Sequence, residues 1–196
     1  MAKAFTRKGD RFVAHLDEAE REVVVSLLEQ TQAFLEPAHR EPTGNTFDDL
    51  VATIGVSQPG DSAIDDPQFP RDPALERMLP SAHRGDPAIA AEFRRLTEQG
   101  LRERKAANLA AAIGALKGAE GDKVRMSLEQ AQATVVALTD VRLLLGERLG
   151  LRTDEDAEDL QDRLDAASED DPELFLAAYY DFMTWLQESL TQALMA

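Results

Sequence analysis

The stretch Asp86–Leu116, DPAIAAEFRRLTEQGLRERKAANLAAAIGAL, decides the fold. It opens with an Asp-Pro pair. The aspartate can accept from the free amides of a first helical turn, and proline loses nothing at the first helical position, where its missing N–H had no partner. No further proline follows, and apolar residues recur at steps of three and four, so the spacing predicts one long helix from Pro87 to about Leu116. On a wheel, Phe93, Leu96, Gly100, Ala107 and Ala111 share one side, while Arg94, Arg95, Arg102 and Lys105 fall roughly opposite with Glu98 among them. Arg104 sits at the rim of the apolar side, where its stem can pack. Leu101, Leu109, Ala112 and Leu116 add a second apolar side toward the C-terminal half. A helix apolar on two sides belongs in the centre of a bundle.

The rest of the chain supplies its neighbours. The Asp-Pro pair recurs: Asp72-Pro73 and Asp171-Pro172 precede apolar periodicity and read as helix starts, whereas Asp66-Pro67 does not. Asp17 caps a helix that Pro37 stops, with Ala19, Val23, Leu27 and Phe34 as its inward set. Capping boxes at Thr46/Asp49, Ser127/Gln130 and Thr153/Asp156 open three more helices, the first reaching Ile54 and the second closed by Gly150. AFTRKGDRFVAHL near the start alternates around Lys8-Gly9-Asp10 and reads as a short hairpin within residues 3–15. Residues 55–71 carry Gly, Pro, Ser and Asp without periodicity and read as a long loop, and residues 153–171 as an acidic helix and its connector. The expectation is an all-α fold: residues 1–196 form a single-domain helical bundle with a short N-terminal β-hairpin.

Several chemistries drop out. With no cysteine there can be no disulfide, thiolate nucleophile, thiol switch or Cys-type zinc site. His15, His39 and His83 are scattered outside any metal-ligand spacing, so no metal is expected. GALKGAEGDKV lacks the G-x-x-x-x-G-K-[ST] pattern of a phosphate loop and reads as a linker. TDEDAEDLQDRLDAASEDDPE resembles a calcium loop only in acidity: counted from Asp154, Asp159 stands where the glycine belongs and Asp165 where the closing glutamate belongs. No catalytic constellation separates from the many acids, so the reading is non-enzymatic, with no cofactor. The start of the chain lacks the apolar core of a signal peptide, and no run reaches the ~18 apolar residues of a membrane span. The expected location is the cytoplasm, away from membrane.

Charge narrows the partners. A net −16 opposes approach to nucleic acid, and the basic stretch Glu92–Leu109 holds five bases against three acids, too small a surplus for direct binding to DNA or RNA. A protein partner suits it better, with Arg94, Arg95, Arg102 and Lys105 as an exposed basic stripe. Asp154–Glu173 has eleven acids and one base. It reads as a solvated helix, alternatively as a surface for a basic partner. That acidic helix has only Ala157, Leu160 and Leu164 to face inward. In the last helix Phe175, Ala178, Phe182, Trp185 and Leu186 form a core seam. Tyr179, Met183 and Tyr180 lean toward other faces. A second partner surface built on Tyr179, Met183 and Trp185, or a homodimer contact there, is therefore a candidate.

Three blocks carry a family resemblance: DPALERMLPSAHRGDPAIAAEFRRLTEQGLRERKAAN (72–108), TDVRLLLGERLGL (139–151) and WLQESL (185–190). In sequence and order they resemble the actinobacterial proteins typified by the oxidative-stress regulator AosR, long known only as a domain of unknown function and often encoded near the ClpS protease adaptor. The resemblance implies a helical cytoplasmic regulator that responds to oxidants and alters transcription through a sigma factor or RNA polymerase. The cysteine-free chain departs from it where a thiol would sense the oxidant; methionine oxidation at Met78, Met126 or Met183 is the remaining route. The expected function is regulation by protein–protein interaction. The alternatives are an adaptor in Clp proteolysis and a small-ligand-binding bundle.

Overall fold

The computed structural model describes residues 2–36, 72–80, 85–168 and 171–196. The helix expected from Thr46 to Ile54, the loop 55–71, Asp66-Pro67, His39 and His83 lie outside these residues.

The chain begins with strands β1 (Lys3–Lys8) and β2 (Arg11–His15), joined as an antiparallel hairpin with Lys8 opposite Arg11. Gly9 turns it with φ 66°, a conformation that a side chain would strain. A third strand, β3 (Lys123–Met126), pairs antiparallel with β2, bringing Met126 opposite Phe12 and Lys123 opposite His15. The linker expected at GALKGAEGDKV ends in this strand, which takes its last two residues, Lys123 and Val124. Four residues are too short for a periodic signal, yet they alternate: Val124 and Met126 point into the core and Arg125 out.

Among the described residues six helices follow the expected signals: α1 (Glu18–Leu35), α2 (Pro73–Met78), α3 (Pro87–Lys117), α4 (Leu128–Arg148), α5 (Asp154–Ala166) and α6 (Pro172–Met195). Asp17, Ser127 and Thr153 close capping boxes with Glu20, Gln130 and Asp156, and Asp72, Asp86 and Asp171 cap helices that have proline in the first turn. The fold is mostly helical with a small three-stranded antiparallel sheet at its N-terminal end.

α3 and α4 pack together at the centre, with α1 against α3 and α6 against α4. Leu28, Leu35, Leu109, Leu116, Leu138, Met183 and Leu186 fill the space between them, and Phe5, Phe12, Val124 and Met126 close one end from the sheet. Ser189 of α6 accepts the Phe5 amide at 3.2 Å, which ties the first strand to the last helix. A smaller cluster of Leu149, Leu160 and Ala177 seats α5. Two inward sets differ from expectation. In α1 the buried line is Val24, Leu28, Thr31 and Leu35, one step round from Val23, Leu27 and Phe34, which are half-buried; Ala19 is exposed. In α5 only Leu160 is buried and Ala157 faces water.

Candidate protein-interaction face

α3 has two apolar sides, as expected, but the body of the protein takes the second. Leu109, Ala112 and Leu116 are buried. The line through them, followed back at steps of three and four, passes Lys105, Arg102 and Glu98. These charged residues therefore face the body in the N-terminal half of α3, and the first apolar side turns to solvent. Ile89 is 53% exposed, Phe93 46% and Leu96 66%. Among the described residues, Ala88, Ile89, Glu92, Phe93 and Leu96 line an open groove of ≈ 410 Å³.

The expected basic stripe is accordingly dismantled. Arg102 is buried at 8% exposure: its Nη2 donates to Glu98 Oε1 at 2.7 Å and its Nη1 to the carbonyl of Leu35, the last residue of α1. Lys105 reaches the opposite way, donating to Asp140 Oδ1 of α4 at 2.5 Å. Arg94 is half-buried. Of the four, Arg95 alone is exposed, paired with Glu92 at 2.7 Å. Bringing the cations inward satisfies carboxylates and a helix-end carbonyl that would otherwise be buried without a partner. The signal was the i, i+4 spacing of Glu98 and Arg102, in line with Leu109.

On α6 the order of faces is also turned. Met183 is fully buried between the helices and is no contact residue for a partner. The core seam runs through Ala177, Met183, Leu186 and Leu190, while Phe175, Ala178, Tyr179 and Trp185 reach solvent. Trp185 stacks on Phe182 at 5.8 Å between ring centroids. Tyr180 is half-buried beneath the guanidinium of Arg142, 5.3 Å from its ring. Tyr179 and Trp185 thus remain surface residues of one helix.

Met78, Met126 and Met183 are all buried, so none presents its sulfur to a dissolved oxidant in the folded chain. Among the described residues no three potential ligands gather into a metal site, and no helix is long and apolar enough to cross a membrane. One acid of α5 caps its own helix: Asp156 accepts from the amides of Arg152 and Thr153, which holds its carboxyl below the usual value.

Fold and face together define a cysteine-free helical protein with a capping β-sheet and an apolar row on its central helix. The family model described as a domain of unknown function, DUF2017, matches residues 2–194, and the chain belongs to that family. No curated protein and no solved structure matches it.

Proposed function

We propose that the chain is a non-enzymatic regulatory protein that acts by binding other proteins, and that the solvent-facing row Ile89, Phe93 and Leu96 of α3 is its docking face. The observation that carries this reading is the row itself. Three large apolar side chains, one helical turn apart, stand in water along one groove. Contiguous apolar surface of this kind marks contact sites, because leaving three neighbouring large side chains exposed forgoes the stabilisation their burial would give. The complementary partner is an apolar helix laid along the groove. The likeness to AosR-type regulators makes a sigma factor or RNA polymerase the first protein to try. Repulsion by the net −16 favours reaching DNA through such a partner over touching it directly.

The test is affinity capture from native lysate with the wild-type chain and a Phe93→Asp/Leu96→Asp variant, both confirmed as folded by circular dichroism. Enrichment of transcription machinery on the wild type and its loss on the variant supports the reading. Equal capture by both would remove the face from it, and capture of neither would remove the transcriptional partner.

A further inference from the structure

The outward row of α3 does not end at Leu96. Ile89, Phe93, Leu96 and Gly100 follow one another at steps of four, three and four. The same alternation continues through Glu103, Ala107, Ala110 and Gly114, and these four are exposed. A methyl group built on Gly114 would meet nothing within 4 Å. The steps alternate between four and three, the spacing of helices that pack along a seam, and the seam lies opposite the buried line through Lys105 and Ala112. The large apolar members, Ile89, Phe93 and Leu96, all stand in the first half, and in the second half Ala107, Ala110 and Gly114 are small.

That order makes the row complementary to itself. Lay a second copy of the helix antiparallel, with the two-fold axis between Leu101 and Arg102. Ile89 then meets Gly114 of the second copy, Phe93 meets Ala110, Leu96 meets Ala107 and Gly100 meets Glu103, and every pairing occurs twice by symmetry. Each bulky side chain is offered a small one, so the backbones can approach closely. A parallel copy would set Phe93 on Phe93 and Gly114 on Gly114, crowding one end and leaving the other empty. Charge agrees. Exposed groups on and beside the row sum to zero, Glu92 and Glu103 against Arg95 and Arg104, so two strongly acidic molecules can meet here with one local repulsion, between the two Glu103 carboxylates near the axis.

We propose that in the free protein this row is occupied by the same row of a second copy, as an antiparallel two-fold dimer. The seam is about 38 Å long at 1.5 Å per residue, and at a helix width of about 10 Å it presents roughly 400 Å² of projected face per copy. Counted over both copies that is about 800 Å², below the roughly 1,200 Å² at which stable specific interfaces begin, so the contact is a weak one and the dimer exchanges with monomer. The inference rests on the reading of the row as a docking face and adds its regulation: self-association and partner binding compete for it.

The chain's lack of cysteine gives a direct test. In the antiparallel register Leu96 lies level with Ala107 of the second copy. Two copies of Leu96 stand 11 residues apart along the axis, about 16 Å, beyond the reach of a disulfide. Mixing Leu96→Cys with Ala107→Cys chains under oxidising conditions should yield the mixed disulfide dimer, with little homodimer from either alone. Sedimentation from low micromolar to several hundred micromolar should show a monomer–dimer equilibrium. Leu96→Asp should weaken it at least tenfold with unchanged helicity. Glu103→Ala, which removes two carboxylates beside the axis, should tighten it. A wild-type chain that stays monomeric overturns the proposal. So does Leu96→Asp that lowers melting temperature with no change in mass, since the row would then be covered within one chain, and crosslinking of Leu96→Cys with itself overturns the register. A dimer with no captured transcription protein would leave this inference standing and sink the proposed partner alone.

Discussion

Lys105 Nζ lies 2.5 Å from Asp140 Oδ1, joining the two central helices through a carboxylate whose side chain is 1% exposed. Burial pushes the Asp140 carboxyl above its ordinary 3.8, and the lysine offsets part of that push. The pair holds α3 and α4 in register at the level where leucine gives way to charge along α3.

Lys105→Met removes the counter-charge and leaves the carboxylate buried, a loss of about 3–5 kcal/mol near neutral pH. A carboxyl with a raised folded-state pKa contributes stability that is fully present below its unfolded value and is lost as pH rises through the folded one. The deficit of Lys105→Met should therefore shrink on acidification toward the ordinary carboxylate range, as Asp140 takes up a proton. Urea unfolding of variant and wild type at both pH values checks this, and equal deficits would contradict it.

Arg95 and Arg102 look alike in sequence and should behave oppositely. Arg95→Glu alters a pair that is more than half exposed on both sides and should change stability by less than about 0.5 kcal/mol. Arg102→Glu places a carboxylate beside buried Glu98 and takes a donor from the end of α1, at roughly 3–5 kcal/mol. Thermal unfolding separates them. Similar melting temperatures for the two variants would mean that Arg102 is not held as described.

These two arginines also mark how far the sequence could be read. Helix ends were legible because caps act locally: Asp17, Ser127, Thr153 and the Asp-Pro pairs each need only the next three residues. The two-sided character of α3 was legible for the same reason. Which side the bundle would take was not, because that depends on the Leu35 carbonyl and Asp140, groups 67 and 35 residues away from their partners. Strand β3 was missed on similar grounds, since its partner β2 is more than a hundred residues earlier. The apolar row was therefore visible as a pattern and assigned to the core.

Glu147 gives a prediction of the opposite sign. Its carboxylate, 6% exposed, binds Arg152 and Arg77, and Arg77 also donates to the Leu151 carbonyl at 2.8 Å, so one acid joins α2, the end of α4 and the entry to α5. The Arg152 bond holds its carboxyl below the ordinary 4.5; burial opposes this, and Arg77 adds to the lowering. Stability from a depressed carboxyl is present above the unfolded value and is lost as pH falls through the folded one. Glu147→Gln should cost about 1–3 kcal/mol near neutral pH. The gap to wild type should close as the solution is acidified below the ordinary value. A gap that stays constant would show that the arginines do not act through the charge.

Gly114 separates the stability of one chain from the association of two. It lies inside α3, exposed, with open space where a Cβ would stand. Alanine is about 1 kcal/mol more favourable than glycine in a helix interior. In dilute solution, where the protein is monomeric, Gly114→Ala should raise the melting temperature by about 2–4 °C. In the antiparallel dimer the same methyl faces Ile89 of the second copy, at the layer where glycine permits the closest approach, and it should weaken association measured by sedimentation. Stability and self-association would then move in opposite directions in a single variant. A parallel gain in both would place Gly114 outside the contact, and a fall in the dilute melting temperature would mean that the face is already packed within the monomer.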